Sequence, residues 1–401
     1  MLKGKTVVLG VTGSIAAYKI ANLASSLVKL HADVHVIMTE NATNFINPIT
    51  FETLTKNKCM VETFDRNFQF HVAHVSLADR ADVMLVAPAS ANIIAKMANG
   101  IADDMLSTTY LAMRCPVIVS PAMNVNMYNN PVVQDNLKKL ESYGVTIILP
   151  DNGYLACGYT GNGKMPSETV LQSYILREIA KEKDLKGKNV LVTAGPTREK
   201  IDPVRFISNH STGKMGYAIA RQAMLRGAEV TLVSGPVSIT PPPFVDVVNV
   251  VSAKEMFEAV SERYENMDMI IKTAAVADYT PANKKDEKIK KTDGDADLTI
   301  ELERTTDILK WLGEHKKAGQ VLCGFSMETQ NVLENSRVKL EKKNADLIAA
   351  NSLRDVGSGF GTDTNHLVLI KRDEMIDLPL LSKEEAADRL LDELCKMCKE
   401  S

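Results

Sequence analysis

Unbroken runs of Val, Ile and Leu, each one strand long and separated by helical patterns, restrict this chain's fold more than any other feature. KTVVLGV (5–11) is followed by IAAYKIANLASSLVKL (15–30) and DVHVIMT (33–39). ADVMLVAPA (81–89), CPVIVSPAM (115–123) and GVTIILP (144–150) come later, with helical stretches between them. A strand apolar along its whole length is covered on both faces, which calls for a parallel sheet with crossover helices. At 181–189 the pattern breaks into KEKDLKGKN, too charged to pack as a core, and NVLVTAG (189–195) then starts the cycle again. ARQAMLRGAEVTLVSGP (220–236) reads as helix, glycine turn and strand, and MDMIIKTAAVADY (267–279) supplies another strand. The expected architecture is α/β, with two doubly wound domains at 1–185 and 186–401. No repeat of residues relates the halves, so they are not an internal duplication.

Length agrees with two domains, since 401 residues exceed the ~250–300 at which single cores stop growing. A composition of 45% hydrophobic and 24% charged residues with net charge −3 gives no reason to expect nucleic acid or an acidic membrane as partner. The longest apolar runs are strand-sized, too short to span a bilayer. MLKGKTVVLGVTGS lacks a signal peptide's apolar segment and reads as a first strand. Six scattered cysteines, at 59, 115, 157, 323, 395 and 398, show no framework spacing, which suits a reducing cytoplasm. Cys395 and Cys398 form a C-x-x-C without the second pair that a zinc site needs.

After the first strand comes GVTGSIAAYK (10–19), a glycine-bearing turn that opens a helix and presents backbone N–H groups to an anion. The dinucleotide pattern G-x-G-x-x-G is absent, because Ser14, Ile15 and Ala16 follow Gly13, so a mononucleotide phosphate fits better than a pyrophosphate. HVAHVSLADRADVMLVAPASAN places His74 shortly before a buried strand, and PAMNVNMYNNP (121–131) puts Asn124 after the next one. The carboxyl ends of such strands form the ligand crevice of an open α/β sheet.

With the later ACGYTGNGKM (156–165), these motifs resemble the flavoproteins that decarboxylate peptidyl- or pantothenoyl-cysteine, over residues 1 to 180. Tyr128 stands where many members carry Trp. The resemblance implies a flavodoxin-like, Rossmann-like domain that binds FMN through Gly13, Ser14, Ile15, Thr39 and Ser90. It also implies roles for His74 as acid/base, Asn124 as the grip on the substrate carboxylate, and Cys157 as the final proton donor. The glycine-rich ACGYTGNGKM would be a mobile lid. A cysteine carboxylate cannot leave readily, because the resulting carbanion has no electron sink. Oxidation of the thiol to a thioaldehyde, with a flavin as hydride acceptor, supplies one, and the ene-thiolate left by carbon dioxide is then reduced and protonated.

In the second half, ISNHSTGKMG (207–216) holds a Gly-Lys pair but fails the Walker pattern, with Ser208 and Met215 at two required places. It nevertheless sits where a small-residue turn opens a helix near 213 and offers free N–H groups. Together with KTAAVADY (272–279), DEKIKK (286–291), GFSMET (324–329) and the pair Lys339 and Lys343, it resembles the phosphopantothenate–cysteine ligases, which have a Rossmann-like domain. Almost the whole chain is thus similar to the bifunctional coenzyme A biosynthesis proteins in which the decarboxylase precedes the ligase.

That resemblance implies condensation of 4′-phosphopantothenate with cysteine through an acyl-cytidylate made from CTP, with Mg²⁺ helping to neutralise the phosphates. Asn209 would stabilise the acyl intermediate and Lys288 the phosphates. Asp278, Phe325, Lys339 and Lys343 would complete the CTP site, with Lys272, Thr273 and Ala274 and the segment Thr306, Asp307, Ile308 and Leu309. No metal ligand is identifiable, Thr306 replaces a family proline, and His210 has no assigned role. The proline-rich PVSITPPPF (236–244) neighbours the site in relatives.

Two other readings compete. A flavin-binding regulatory module would lose part of the catalytic set, yet His74, Asn124 and Cys157 are all present. A nicotinamide-dependent oxidoreductase is opposed by the missing G-x-G-x-x-G. The family resemblance further implies a homo-oligomer built from trimers, a dodecamer where ligase dimers link them.

Overall fold

The structure is a computed structural model that describes residues 1–64, 73–154, 160–290, 298–328, 332–352, 359 and 361–400. The chain divides into two compact units, Met1–Lys181 and Glu182–Ser401.

In the first unit, β1 (Thr6–Val11), β2 (Asp33–Met38), β3 (Val83–Ala89), β4 (Val117–Pro121) and β5 (Thr146–Ile147) form a parallel sheet ordered β2-β1-β3-β4-β5. Around it lie α1 (Ala17–Lys29), α2 (Pro48–Thr55), α3 (Ala73–Arg80), α4 (Ala91–Asn99) and α5 (Met105–Ala112). The one-turn α6 (Val125–Tyr128), α7 (Pro131–Ser142) and α8 (Glu168–Ile179) follow. Every residue of β3 is buried, as its unbroken apolar run requires. Helix α1 buries Ile20, Leu23, Ala24 and Leu27, the i, i+3, i+4, i+7 stripe that one face of a helix presents. Side-chain caps fix several starts: Ser90 for α4, the Asp104–Ser107 capping box for α5, and Asn130 ahead of Pro131 for α7.

One expected strand shrinks. GVTIILP (144–150) pairs only at Thr146 and Ile147, because it lies at the sheet edge with β4 as sole partner and Pro150 has no N–H to donate. The chain then forms an antiparallel hairpin, β6 (Asp151–Tyr154) with β7 (Thr160–Lys164).

The second unit begins with β8 (Asn189–Ala194), β9 (Arg198–Lys200), β10 (Phe206–Ser208), β11 (Glu229–Ser234), β12 (Asp246–Asn249), β13 (Met269–Lys272) and β14 (Tyr279–Pro281). It continues with β15 (Leu302–Arg304), β16 (Val321–Glu328), β17 (Leu347–Ser352), β18 (Thr364–Asn365), β19 (Leu367–Ile370), β20 (Met375–Asp377) and β21 (Leu381–Ser382). Its helices are α9 (Lys214–Leu225), α10 (Ala253–Ser261), α11 (Ile308–His315), α12 (Val332–Lys342) and α13 (Lys383–Glu400). The large sheet is ordered β12-β11-β8-β13-β16-β17-β19-β20. The strands from β12 to β17 run parallel in the Rossmann order, whereas β19 and β20 add antiparallel, so the sheet is mixed rather than wholly parallel. A turn closed by Lys371 N donating to Glu374 O (2.9 Å) folds β20 back on β19.

Helix α13 packs along α9 and explains the C-x-x-C. Cys395 and Cys398 are three residues apart on one helix, and burial pushes both thiols up, Cys395 to about 11. Thiols of that kind are poor nucleophiles and serve as packing. Beside them Arg226, its side chain 7% exposed, pairs with Asp184, with Asp392 (2.8 Å) and with Asp388 (3.5 Å). Replacing Arg226 by Met would leave three carboxylates around an empty place. We expect a loss of about 3 kcal/mol in the second unit. Urea unfolding followed by Trp311, the chain's single tryptophan, measures it, since that ring packs on Phe257, Tyr264 and His315 within the same unit. An unchanged midpoint would mean that solvent compensates the cluster.

Candidate active sites

In the first unit the strand order reverses between β1 and β3, the switch point where a crevice opens at the carboxyl ends of the strands. Thr12 stitches this point together. Its hydroxyl donates to Pro88 O (2.7 Å) and accepts from the Ser90 amide (3.0 Å). Sequence reasoning missed this residue, although its place directly after a buried strand was the available signal. Gly13, Ser14 and Ile15 follow, and Ala16 caps α1 without any side-chain hydrogen bond. Ser14 O accepts from Ala17 N and Ser14 Oγ from Ala16 N, while the amides of residues 13 to 15 donate to no described protein acceptor. Free amides at a helix start suit a phosphate. A Cβ on Gly13 would meet Asn41 Cβ at 3.0 Å and its carbonyl at 3.2 Å, so the loop lies close against the chain that follows Thr39. Thr39 and Ser90 stand at the carboxyl ends of β2 and β3, each as the residue before a helical turn.

Asn124 occupies the same edge after β4, where it caps α6 by accepting from Asn126 N (2.8 Å). The β6–β7 hairpin is seated on this loop. Gly163 O accepts from Met123 N (3.2 Å), and a Cβ on Gly163 would come within 2.3 Å of Met123 O. Lys19 ties the far side, donating to Met165 O (3.2 Å). Cys157 and the tip of the expected lid lie outside the described residues. His74 is the second residue of α3 and half-buried. A crossover helix runs opposite to the strand it feeds, so the start of α3 lies toward the carboxyl edge of β3.

The second unit repeats the logic at its own switch point, between β8 and β13. There Gly195, the loop 211–216, Thr273 to Ala275, Phe325 to Met327, Asn351, Asn365 and Lys383 line a cavity. Gly213 caps α9 with φ +78°, and no side chain bonds the first-turn amides. The loop following β13 is fixed by Thr193, which accepts from Ala274 N (3.1 Å) on its hydroxyl and takes a short hydrogen bond from the Thr273 hydroxyl on its carbonyl. Val237, from the proline-rich segment, packs against both Gly195 and Gly213. Lys214 of the Gly-Lys pair turns away, donating to Gly361 O (2.8 Å) and Asp363 (2.7 Å). The stretch ISNHSTGKMG therefore meets the cavity through its backbone, with Asn209 Nδ2 bonded to Ala275 O (3.0 Å) at the rim.

A lysine cluster outside the cavity lining reaches it through Phe325. Lys339 donates to Phe325 O (3.0 Å), and Lys343, one residue past α12, pairs with Asp307. Lys272 lies among them at the end of β13, and burial, with Lys339 adding to it, pushes it down to about 8 against the pull of Asp307 and Asp278. Asp307 caps α11 through Lys310 N (3.0 Å), and its carboxyl is held below the usual range by the Lys343 hydrogen bond against the opposing effect of burial. Thr306 and Asp278 are exposed, whereas Ile308 and Leu309 are core side chains, which leaves only their backbone for a ligand.

Lys288 is exposed, yet its segment is anchored. Ile289 N donates to the buried Asp202 carboxylate (3.2 Å), Arg205 grips both Asp202 and Ile289 O, and Lys285 N reaches Ile201 O (3.0 Å). The bond from Arg205, with backbone amides adding, holds the Asp202 carboxyl far below its ordinary range despite burial. Among the described residues no group of three or more His, Cys, Asp or Glu side chains could hold a metal ion. No described helix is long and apolar enough to cross a membrane.

Comparison with known proteins follows this division. Residues 1–180 match the flavoprotein family, and residues 185–397 match the DNA/pantothenate metabolism flavoprotein C-terminal domain. The coenzyme A biosynthesis bifunctional protein CoaBC of Bacillus subtilis (strain 168) is 47% identical over 405 residues, covering 100% of this chain and 99% of that protein. A crystal structure of a CoaBC C-terminal domain is 49% identical, covering 55% of this chain and all of its own, with TM-score 0.47. That of the FMN-dependent cysteine decarboxylase SpaF is 30% identical, covering 44% and 95%, with TM-score 0.38. With both domain matches in order and identity sustained from end to end, the chain belongs to the family of the coenzyme A biosynthesis bifunctional proteins.

Proposed function

We propose that this chain makes 4′-phosphopantetheine in two steps, the second unit acting first. The observation that supports the reading is that each unit has, at a strand-order switch point, a helix start that no side chain caps. In the ligase step the carboxylate of 4′-phosphopantothenate attacks the α-phosphorus of CTP and pyrophosphate leaves. The cysteine amine then attacks the acyl carbon and releases CMP. Lys288 and the Lys272, Lys339 and Lys343 cluster offset the charge of the phosphates, which Mg²⁺ would accompany, and Asn209 donates toward the developing oxyanion.

In the decarboxylase step FMN supplies the hydride exchange that makes the cysteine carboxylate able to leave. Gly13, Ser14 and Ile15 suit its phosphate, with Thr39 and Ser90 along the crevice. Asn124 orients the carboxylate, His74 moves a proton at the thiol, and Cys157 returns one at the end. Pure protein incubated with 4′-phosphopantothenate, cysteine, CTP and Mg²⁺ should yield 4′-phosphopantetheine and CMP by mass spectrometry. Accumulation of 4′-phosphopantothenoylcysteine alone would reduce the first unit to a flavin-binding regulator.

The Lys272 ammonium gives the ligase a pH signature. Its charge is present below about pH 8 and lost above it, so kcat/KM for CTP should fall as pH rises through that value, and Lys272→Met should flatten the profile. Stability moves the other way. The folded value lies below the ordinary 10.5, so the cost of burying the charge is full below about pH 8 and is relieved toward 10.5. A wild-type profile that stays level across pH 8 would remove Lys272 from phosphate binding.

The reading includes a cytoplasmic, trimer-based oligomer, with twelve subunits where ligase dimers link the trimers. Light scattering on the eluted protein tests it, and a monomer would overturn it. Ile15, just before α1, and Tyr18, in its first turn, are 59% and 58% exposed, apolar surface that such a neighbour would cover.

A further inference from the structure

One cation in the cavity of the second unit has no part in the roles above. Lys383 opens α13 and is only 7% exposed. Its ammonium donates to Gly359 O (3.2 Å), to the Thr362 carbonyl and to the Thr362 hydroxyl (3.3 Å). None of these acceptors carries a formal charge, and no described carboxylate pairs with it, because Asp363 is taken by Lys214. Among the described residues the ammonium's direct contacts are thus neutral oxygens, with the exposed Asp363 carboxylate acting on it only without a direct bond. That is a costly arrangement for a buried charge, and structures retain such charges where an anion completes them. Lys383 lines the same cavity as Ser211, Thr212 and the first turn of α9. Burial, with Lys214 nearby adding to it and Asp363 opposing, holds Lys383 below the usual lysine range, the state from which a bound anion would recover it.

We propose that Lys383 binds a phosphate group of the ligase substrates within this cavity, together with the first-turn amides of α9. The inference rests on the ligase reading. Two substrates could bring that group, CTP with its triphosphate or 4′-phosphopantothenate with its terminal phosphate. The phosphate oxygen would replace the long contact to the Thr362 hydroxyl. The carbonyl contacts would keep the ammonium aimed.

The test uses the full-length protein with Lys383→Met and Lys383→Arg, reading KM for each substrate and inhibition by inorganic pyrophosphate. Lys383→Met should weaken the phosphate-bearing ligand at least tenfold, the loss expected for a charge-assisted contact, and Lys383→Arg should recover most of it. Weaker CTP and pyrophosphate binding with unchanged 4′-phosphopantothenate assigns the triphosphate, and the converse assigns the terminal phosphate. Equal affinities in wild type and Lys383→Met would overturn the proposal. So would a variant that melts early and loses kcat with both KM values intact, because Lys383 would then only brace residues 359–362. Failure of the wild type to consume CTP would overturn the ligase reading instead. Calorimetry with pyrophosphate and with 4′-phosphopantothenate would then still decide Lys383.

Discussion

His74→Asn should stop carbon dioxide release and make 4′-phosphopantothenoylcysteine accumulate, while CTP consumption continues at the wild-type rate. The expected loss is at least about 10²-fold, the usual contribution of a positioned acid/base group. Asparagine keeps the size and a polar tip but cannot carry the proton. The two activities should separate because each unit closes its own core around its own sheet. Lys288→Gln should do the reverse, lowering CTP turnover about 10²-fold while supplied 4′-phosphopantothenoylcysteine is still decarboxylated. The lysine is exposed and its neighbours are held by Asp202 and Ile201, so losing its charge should not disturb the fold. Unchanged carbon dioxide release in the first variant would exclude His74 from the chemistry. Normal CTP turnover in the second would return the lysine segment to solvent.

Gly235→Ala should destabilise the second unit strongly. A Cβ there would lie 1.9 Å from Pro196 O and 2.9 Å from its carbonyl carbon, both backbone atoms that cannot rotate away. The chain after β11 would have to leave the chain after β8, although Gly235 N now bonds Ala194 O (2.9 Å). We expect about 3 kcal/mol of destabilisation and loss of CTP turnover, since Gly195 and the α9 start share that wall. Gly319→Ala is the control. It meets no atom within 4 Å, and only its φ of +81° opposes a side chain, so about 1 kcal/mol is expected. Trp311 fluorescence during thermal unfolding reads both variants. Equal shifts would mean that the Pro196 contact relaxes freely.

Much of this was legible in the residues. Unbroken apolar runs announced β1, β3 and β8 because a strand covered on both faces has no polar side to alternate, and such runs need no knowledge of their partners. Of the motif residues, Gly13 and Asn124 follow the buried strands β1 and β4, whereas Asn209 follows the largely exposed β10 and Lys339 lies within α12. GVTIILP misled because its composition is that of a central strand, while only its place at the sheet edge limits it to two paired residues. The antiparallel end of the second sheet escaped for a similar reason. Nothing in β19 distinguishes a strand that returns by a turn from one that returns by a helix.

Sequence by itself thus determined the fold class, the two-unit plan and the family, because local pattern and short motifs survive without knowledge of distance. Only the tertiary structure decided which polar groups meet. Thr12 bridging β1 and β3, Lys214 claimed by Asp363 and Lys383 donating to Gly359 O are long-range pairings. Each depends on where two strands or two helices end in space, and the residues between them along the chain carry no record of it.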